Sequence, residues 1–203
     1  GQNLTIDSTG GPVSINSVMG SGTATSLTVN ADSTDGGDNA DTTETISIGA
    51  IGTANEIGAV TLDAADGITF TGDITLADAA GADLDIDGKV FISGNVTIDT
   101  DNTTGGGTDD GTINFSSTID GVTEDPAVAD NLVIHAGGAG GGSLTLSGNI
   151  GDGVALSSLK INATAGNLAF TVPQVGGGGS VGVTGNVEIG RAHVRTPVTT
   201  SKR

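Results

Sequence analysis

The sequence contains no cysteine, tryptophan or tyrosine, and only four phenylalanines and one methionine among its 203 residues. The absence of cysteine excludes disulfides, thiolate metal ligands and cysteine nucleophiles together. The scarcity of large side chains argues against a spherical globular core, which needs them to fill its interior. No apolar run approaches the ~18 residues of a membrane span, so we expect no membrane insertion.

Basic residues are also scarce, because six Lys and Arg accompany 24 Asp and Glu and the formal net charge is −18. Four of the six basic residues lie in the last 13 positions: Arg191, Arg195, Lys202 and Arg203. The preceding part of the chain is therefore even more acidic than the total indicates. Such a surface repels nucleic acid and anionic lipid, so we expect no nucleic-acid partner.

The chain does contain a repeated unit, which is clearest in LTLSGNIG at residues 144–151. Each copy has two apolar residues separated by one position, then another apolar residue after a short interval, and usually a Gly. Seven copies begin at residues 13, 46, 68, 90, 113, 144 and 168, and four of the six intervals are 22 to 24 residues long. Alternation bounded by Gly, Asn, Asp or Ser predicts short strands with one buried face.

A second apolar triplet precedes most copies: Leu4-Thr5-Ile6, Leu27-Thr28-Val29, Val60-Thr61-Leu62, Leu84-Asp85-Ile86, Leu132-Val133-Ile134 and Leu159-Lys160-Ile161. Strands this short bury a core only when successive units stack. The prediction is an all-β fold, a parallel β-solenoid (β-helix) of about seven coils of 22–24 residues with acidic loop insertions. At about 4.8 Å per stacked strand it would be roughly 30 Å long.

Three phenylalanines share one slot of the motif with four aliphatic residues, and the set is Phe70, Phe115, Phe170, Ile15, Ile48, Ile92 and Leu146. We expect these seven side chains to form one inward-facing ladder without a ligand role. The repeat falters between Val96-Thr97-Ile98 and Ile113, where no leading strand is evident. Either the triplet at 96–98 serves twice, or one face lacks a strand at this level.

Three polar, acidic segments interrupt the repeat at residues 31–45, 99–111 and 120–130. The first two contain eight aspartates, Asp32, Asp35, Asp38, Asp41, Asp99, Asp101, Asp109 and Asp110. Carboxylates are the hard oxygen ligands that Ca²⁺ prefers, so Ca²⁺ is the one cofactor hypothesis for this chain. Neither segment completes an EF-hand or a tandem nonapeptide repeat, and a solvated acidic face is the alternative interpretation.

No catalytic residues are predicted. Before the basic tail, the cations are only Lys89 and Lys160, and His135 has no second His with which to act. Asp63 and Asp87 are placed to approach each other on adjacent coils within the range of glycosidase carboxylates. Because any acidic solenoid makes such pairs by chance, we predict no enzyme, and a β-helix carbohydrate-active enzyme remains the lesser alternative.

The C-terminal residues abandon the repeat. Residues 189–199, IGRAHVRTPVT, resemble the translation of a widely used sequencing-library adapter, with one base change at Arg195. This resemblance implies that 190–203 is a non-native or disordered basic tail. Residues 1–189 are then predicted to be one β-solenoid repeat domain, a fragment of a longer protein. A genuine basic tail is the alternative.

Four units carry a family resemblance: DGITFTGDITLADA, DGTINFSSTIDG, NLVIHAGGAGGGSLTLSGNIG and LKINATAGNLAF. They resemble the glycine-rich β-strand repeats of large bacterial surface proteins, of the filamentous-haemagglutinin and autotransporter-passenger type, over about residues 3–189. The resemblance implies a non-catalytic structural or adhesive segment without a cofactor, in a secreted or cell-surface protein attached to the outer membrane. Its partner would be a host or neighbour-cell surface, a glycan or another copy of itself.

Overall fold

A computed structural model describes residues 2–8, 10–20, 22–31, 43–100, 111–122, 129–136, 142–163, 168–170 and 187–191. These residues form strands and turns without any helix, so the predicted all-β class is confirmed. It follows that no helix in this part of the chain is long and apolar enough to cross a membrane.

Seventeen short strands form within the described residues. They are β1 (Leu4–Asp7), β2 (Val13–Val18), β3 (Gly22–Asn30), β4 (Thr45–Ile51), β5 (Ile57–Asp63), β6 (Gly67–Phe70), β7 (Ile74–Thr75), β8 (Leu84–Asp87), β9 (Val90–Ile92), β10 (Asn95–Asp99), β11 (Ile113–Phe115), β12 (Ile119–Gly121), β13 (Asn131–Ala136), β14 (Leu144–Leu146), β15 (Ser158–Ala163), β16 (Leu168–Phe170) and β17 (Val187–Arg191). In strands such as β8 and β13 the inward residues are buried and alternate with residues on the outward face, as expected for a strand with one face in the core. β17 continues two residues beyond the predicted domain boundary at 189.

The strands form two sheets in which every described pair is parallel, and one sheet is strongly curled into a half-barrel. The first sheet has the order β1-β3-β5-β8-β11-β14-β16. The second has the order β12-β9-β6-β4-β7-β10-β13-β15-β17, with β2 paired to β4. We call β4-β6-β9-β12 its short arm and β4-β7-β10-β13-β15-β17 its long arm. The two arms diverge from β4, whose first half pairs with β6 and whose last residue pairs with β7.

The chain visits the two sheets in rotation. β5, β6 and β7 lie in the first sheet, the short arm and the long arm, and β8, β9 and β10 then repeat this order. β11, β12 and β13 repeat it again, and an isolated parallel bridge between Ile119 and Ile150 extends the short arm between β14 and β15. Strands near in sequence therefore lie in different sheets or arms, while pairing joins strands about one repeat apart.

The seven copies of the sequence motif do not occupy one position in this arrangement, so the prediction of a single ladder was wrong. Ile15, Ile48, Phe70 and Ile92 are in register across β2, β4, β6 and β9. Phe115 instead aligns with Ile86, Leu146 and Phe170 in the first sheet. An apolar triplet has the same chemistry in either sheet. The motif alone therefore did not show that the copies beginning at 113, 144 and 168 belong to the first sheet.

The same error explains the apparent gap in the repeat. Val96 and Ile98 belong to β10 in the long arm and align with Leu132 and Ile134 of β13. The triplet at 96–98 therefore does not serve twice, and the first sheet continues from β8 directly to β11. The predicted leading strands at 132 and 159 are long-arm strands, which pair with each other.

The inward side chains of the described strands form one hydrophobic cluster. Its largest members, Phe70 and Phe115, are fully buried. The turns bring neighbouring backbones close together, as at Gly88, where φ is +128° and a Cβ would lie 2.4 Å from the Ala64 carbonyl oxygen. This position therefore requires glycine both for its left-handed conformation and for the space between stacked turns.

Candidate functional site

Of the eight aspartates in the calcium hypothesis, seven lie outside the described residues. These are Asp32, Asp35, Asp38, Asp41, Asp101, Asp109 and Asp110. The eighth, Asp99, ends β10 and is in register with Thr75 and His135 on the adjacent strands. Within the described part of the chain, no group of three or more His, Cys, Asp or Glu is placed to hold a metal ion. The calcium hypothesis therefore stays a prediction.

The most extensive polar feature is the outward face of β8 and its neighbour β11. Asp83, Asp85 and Asp87 alternate along β8 and each accepts a hydrogen bond from the β11 region. The pairs are Thr112 Oγ1 to Asp83 Oδ1 at 2.9 Å, Asn114 Nδ2 to Asp85 Oδ1 at 2.9 Å, and Ser116 Oγ to Asp87 Oδ1 at 2.7 Å. The Thr112 backbone N–H also donates to Asp83 Oδ1 at 2.7 Å. We call these six residues the aspartate comb.

The comb is a donor–acceptor ladder between stacked strands, and its groups are exposed to solvent. Each carboxylate also keeps acceptor capacity beyond the bond to its neighbour. The surface can therefore accept hydrogen bonds from hydroxyl groups of a polar ligand. The two lysines of the described residues are Lys89, which lies just before β9, and Lys160, which lies in β15 of the second sheet.

Asp63 and Asp87 are direct neighbours in register between β5 and β8, which confirms that they lie on adjacent strands. With about 4.8 Å between strands, the pair is within the range of retaining glycosidase carboxylates, about 5–5.5 Å. Asp87 already accepts the hydrogen bond from Ser116 in the comb. Asp63 is the last residue of β5 and Asp87 is the last residue of β8. Both lie on the outward face, so the pair belongs to the same ladder of polar side chains.

His135 lies in β13 and is half-buried. Its Nε2 lies 3.2 Å from Nδ2 of Asn162, the in-register residue of β15. Asp99 is its in-register neighbour on the other side, in β10. The imidazole therefore sits between an amide and a carboxylate in a column of polar residues along the long arm.

The sequence analysis missed two buried carboxylates within residues 120–130, because their composition predicts a solvated acidic loop. Asp120 lies in β12 and is 8% exposed, and its Oδ1 accepts the Gly153 N–H at 2.9 Å. Asp130 is 1% exposed, and it accepts the N–H groups of Gly94 and Val122, each at 2.9 Å. Buried carboxylates that accept backbone N–H bonds have a structural role.

Asp130 connects three places in the stack. Its carboxylate bonds to the turn between β9 and β10 and to the end of β12, while its backbone N–H donates to Ser157 Oγ at 3.1 Å. The signal available in the sequence was its position directly before β13, which begins at Asn131. Asp73 precedes the strand pair Ile74–Thr75 in the same way, and its Oδ1 accepts the Thr97 N–H at 2.8 Å.

Comparison of the chain with models of protein families, with curated proteins and with solved structures finds no match. The interpretation of the chain therefore depends on its own strands and polar columns.

Proposed function

We propose that the two parallel sheets are the walls of one β-solenoid, which the chain winds through once per coil. The observation that carries this proposal is the rotation of successive strands through the first sheet, the short arm and the long arm. The seven strands of the first sheet then correspond to seven coils. At about 4.8 Å per coil the stack is roughly 30 Å long.

The function that we propose for this solenoid is that of a structural or adhesive repeat segment of a large secreted or cell-surface bacterial protein, without catalytic activity. The hydrogen bonds that polar side chains make between the described strands support this proposal. The carboxylates of the comb and of Asp130 bond to neighbouring strands, which is a structural use. The acidic exterior disfavours nucleic acid, and the partner that we propose is a host or neighbour-cell surface, a glycan or another copy of the segment.

The winding can be tested with disulfides because the chain has no native cysteine. Three cysteine pairs probe one in-register contact in each wall: Thr28 with Thr61, Ser47 with Thr69, and Thr97 with Val133. All three should oxidise intramolecularly with little loss of stability, since the strand spacing suits a disulfide. The control pair, Thr28 with Thr145, lies four strands apart, about 19 Å, and should stay reduced. Oxidation of the control, or failure of any one wall, would contradict a single continuous winding.

The cellular role requires a separate experiment. Antibodies raised against the purified chain should label intact cells of the organism that produces it, and external protease should remove the label. The purified, fluorescently labelled chain should also bind saturably to host or neighbour cells if the segment is adhesive. Label that appears only after the cells are lysed would refute the proposed location.

A further inference from the structure

One phenylalanine lies on the outward face of the short arm. Among the phenylalanines whose side chains the structure describes, Phe70 and Phe115 are fully buried, whereas Phe91 of β9 is half-buried. Val90 and Ile92 flank it and are 1% and 0% exposed, so the Phe91 side chain points outward. A large apolar group therefore lies among the polar side chains of this surface.

The Phe91 ring lies against the backbone of β6 at Gly67. A Cβ at Gly67 would be 2.7 Å from Cε2 and 3.3 Å from Cδ2 of the ring. Because glycine has no side chain, the ring packs directly on the neighbouring strand. This contact holds the ring in position while part of it stays accessible. A ligand that covers the ring thus meets an already ordered surface, which lowers the entropic cost of binding.

The register neighbour of Phe91 in β12 is Asp120, which is 8% exposed. Its Oδ1 accepts the Gly153 N–H at 2.9 Å, whereas its Oδ2 accepts no hydrogen bond from the part of the chain that the structure describes. Asp130 differs, because both of its oxygens accept backbone N–H groups. A buried acceptor without a donor is costly, so Asp120 Oδ2 is a position that a hydroxyl group of a ligand would satisfy.

Two further polar side chains surround the ring. Lys89 is exposed and precedes Phe91 by two residues, so both side chains point outward from the same strand. Thr69 is the register neighbour of Phe91 on β6 and is half-buried. An ammonium donor, a hydroxyl group and a carboxylate acceptor are therefore arranged around one apolar ring. We call Thr69, Lys89, Phe91 and Asp120 the aromatic subsite.

We propose that the aromatic subsite binds one sugar residue of a neutral glycan. This inference rests on the adhesive function proposed above and names its partner. A pyranose ring has C–H groups on its faces and hydroxyl groups at its rim, so it can cover an aromatic ring while its rim meets polar side chains. Ligand sites commonly combine aromatic side chains with a few placed polar groups. Asp120 Oδ2 accepts a hydrogen bond from one sugar hydroxyl, and Lys89 donates to another.

The charge of the chain favours a neutral sugar over an anionic one. The formal net charge is −18. Asp66 precedes Gly67 and Asp87 lies two residues before Lys89, so carboxylates lie close to the one cation of the subsite. An anionic sugar or a nucleotide would be repelled. The aspartate comb also offers acceptors for hydroxyl groups, but its six residues include no aromatic ring.

The test is fluorine NMR of the full chain labelled with para-fluorophenylalanine. The sequence has four phenylalanines, and the spectrum of Phe91→Leu identifies the resonance that comes from Phe91. The probes are maltohexaose, cellohexaose, mannohexaose and N-acetylchitohexaose, with oligogalacturonate as the anionic comparison. We expect at least one neutral probe at millimolar concentration to shift the Phe91 resonance saturably and more than any other.

Titration calorimetry with the same probe then separates the roles of the side chains. Phe91→Leu keeps an apolar cover over Gly67 but removes the ring. Asp120→Asn keeps an acceptor for the Gly153 N–H but removes the second carboxylate oxygen. Each should weaken binding by about tenfold. The matched control, Asp85→Asn, changes an exposed carboxylate of the comb and should bind as tightly as the unmodified chain. Circular dichroism checks that the variants are folded, and Phe91→Leu decides alone if Asp120→Asn is not.

Four outcomes would overturn the inference. They are no shift of the Phe91 resonance by any neutral probe, a shift by oligogalacturonate alone, unchanged affinity in Phe91→Leu, and a loss of binding in Asp85→Asn that Asp120→Asn does not show. Adhesion of the labelled chain to cells separates this inference from the proposed function. If cells bind Phe91→Leu and the unmodified chain equally well, the aromatic subsite alone fails. If a sugar binds at Phe91 but cells bind neither chain, the adhesive function fails and the subsite stands.

Discussion

Replacing Asp130 by Ala tests whether a buried carboxylate holds neighbouring strands of the second sheet together. The side chain is 1% exposed and accepts two backbone N–H bonds, from Gly94 and Val122. Hydrogen bonds to charged groups contribute about 1.5–3 kcal/mol each. Gly94 is half-buried and would lose this acceptor, whereas the Val122 N–H keeps a second acceptor, the Ile92 carbonyl oxygen at 3.2 Å.

We therefore expect Asp130→Ala to lower the free energy of unfolding by about 2–4 kcal/mol. Asp130→Asn keeps the size of the side chain but only one acceptor oxygen, so it should lower stability by about half as much. The control is Asp85→Asn, which alters an exposed carboxylate of the comb with one hydrogen bond, from Asn114. Its effect should stay within about 0.5 kcal/mol, as for most surface substitutions.

The measurement is urea denaturation followed by far-ultraviolet circular dichroism, because the chain has no Trp or Tyr to report by fluorescence. Equal m-values for the three variants and the unmodified chain would show that the midpoints can be compared directly. If Asp130→Ala unfolded at the same urea concentration as Asp85→Asn, the structural role of Asp130 would be wrong.

Three further perturbations test the packing and the calcium hypothesis. Gly111→Ala would place a Cβ 1.9 Å from the Ala82 carbonyl oxygen and should lower the free energy of unfolding by about 1–3 kcal/mol. The control Gly11→Ala meets only a side-chain oxygen at 3.6 Å, so it should leave the stability measured by the same urea assay unchanged. Phe70→Ala should lower the free energy of unfolding by about 3–5 kcal/mol, because Phe70 is fully buried. Phe91→Ala should lower it by less, because Phe91 is half-buried on the outward face. Equal losses would contradict the placement of Phe70 inside and Phe91 outside. If the acidic loops bind Ca²⁺, millimolar Ca²⁺ should raise the melting temperature more than Mg²⁺ does and a chelator should reverse the rise; an equal effect of the two ions would refute the calcium hypothesis.

The strands themselves could be predicted from sequence because alternation is a local property. The burial pattern of β13, with Leu132, Ile134 and Ala136 inward, follows directly from its letters. The sheet to which each strand belongs could not be predicted. The triplets Ile68-Thr69-Phe70 and Ile113-Asn114-Phe115 differ only in their middle residue, yet they lie in different sheets. The sheet in which a triplet lies depends on how many strands precede it within its repeat. Where the loops vary in length, that number cannot be read from the spacing of the triplets.

The buried aspartates were missed for a different physical reason. A composition rich in Asp, Gly and Pro predicts a solvated loop, and residues 120–130 have that composition. Asp120 and Asp130 are buried where their carboxylates accept backbone N–H groups of turns and strand ends, one from Gly153 for Asp120 and two, from Gly94 and Val122, for Asp130. Which aspartate of an acidic stretch meets such a turn is set by a contact 33 or 36 residues away.

The order of the outward residues explains how so acidic a chain stacks parallel strands at all. Like charges directly opposite each other in a sheet are destabilising. On the β11 side, the carboxylates of Asp83, Asp85 and Asp87 meet hydroxyl and amide groups instead, whereas on the β5 side Asp87 has Asp63 as its in-register neighbour. The long arm uses the same device without charge, because Asn131 donates to Asn95 at 2.6 Å and accepts from Ser158 at 2.6 Å. Thr, Asn and Ser at outward positions are thus partners for the residues one strand away, which is why their sequence along the chain looks irregular.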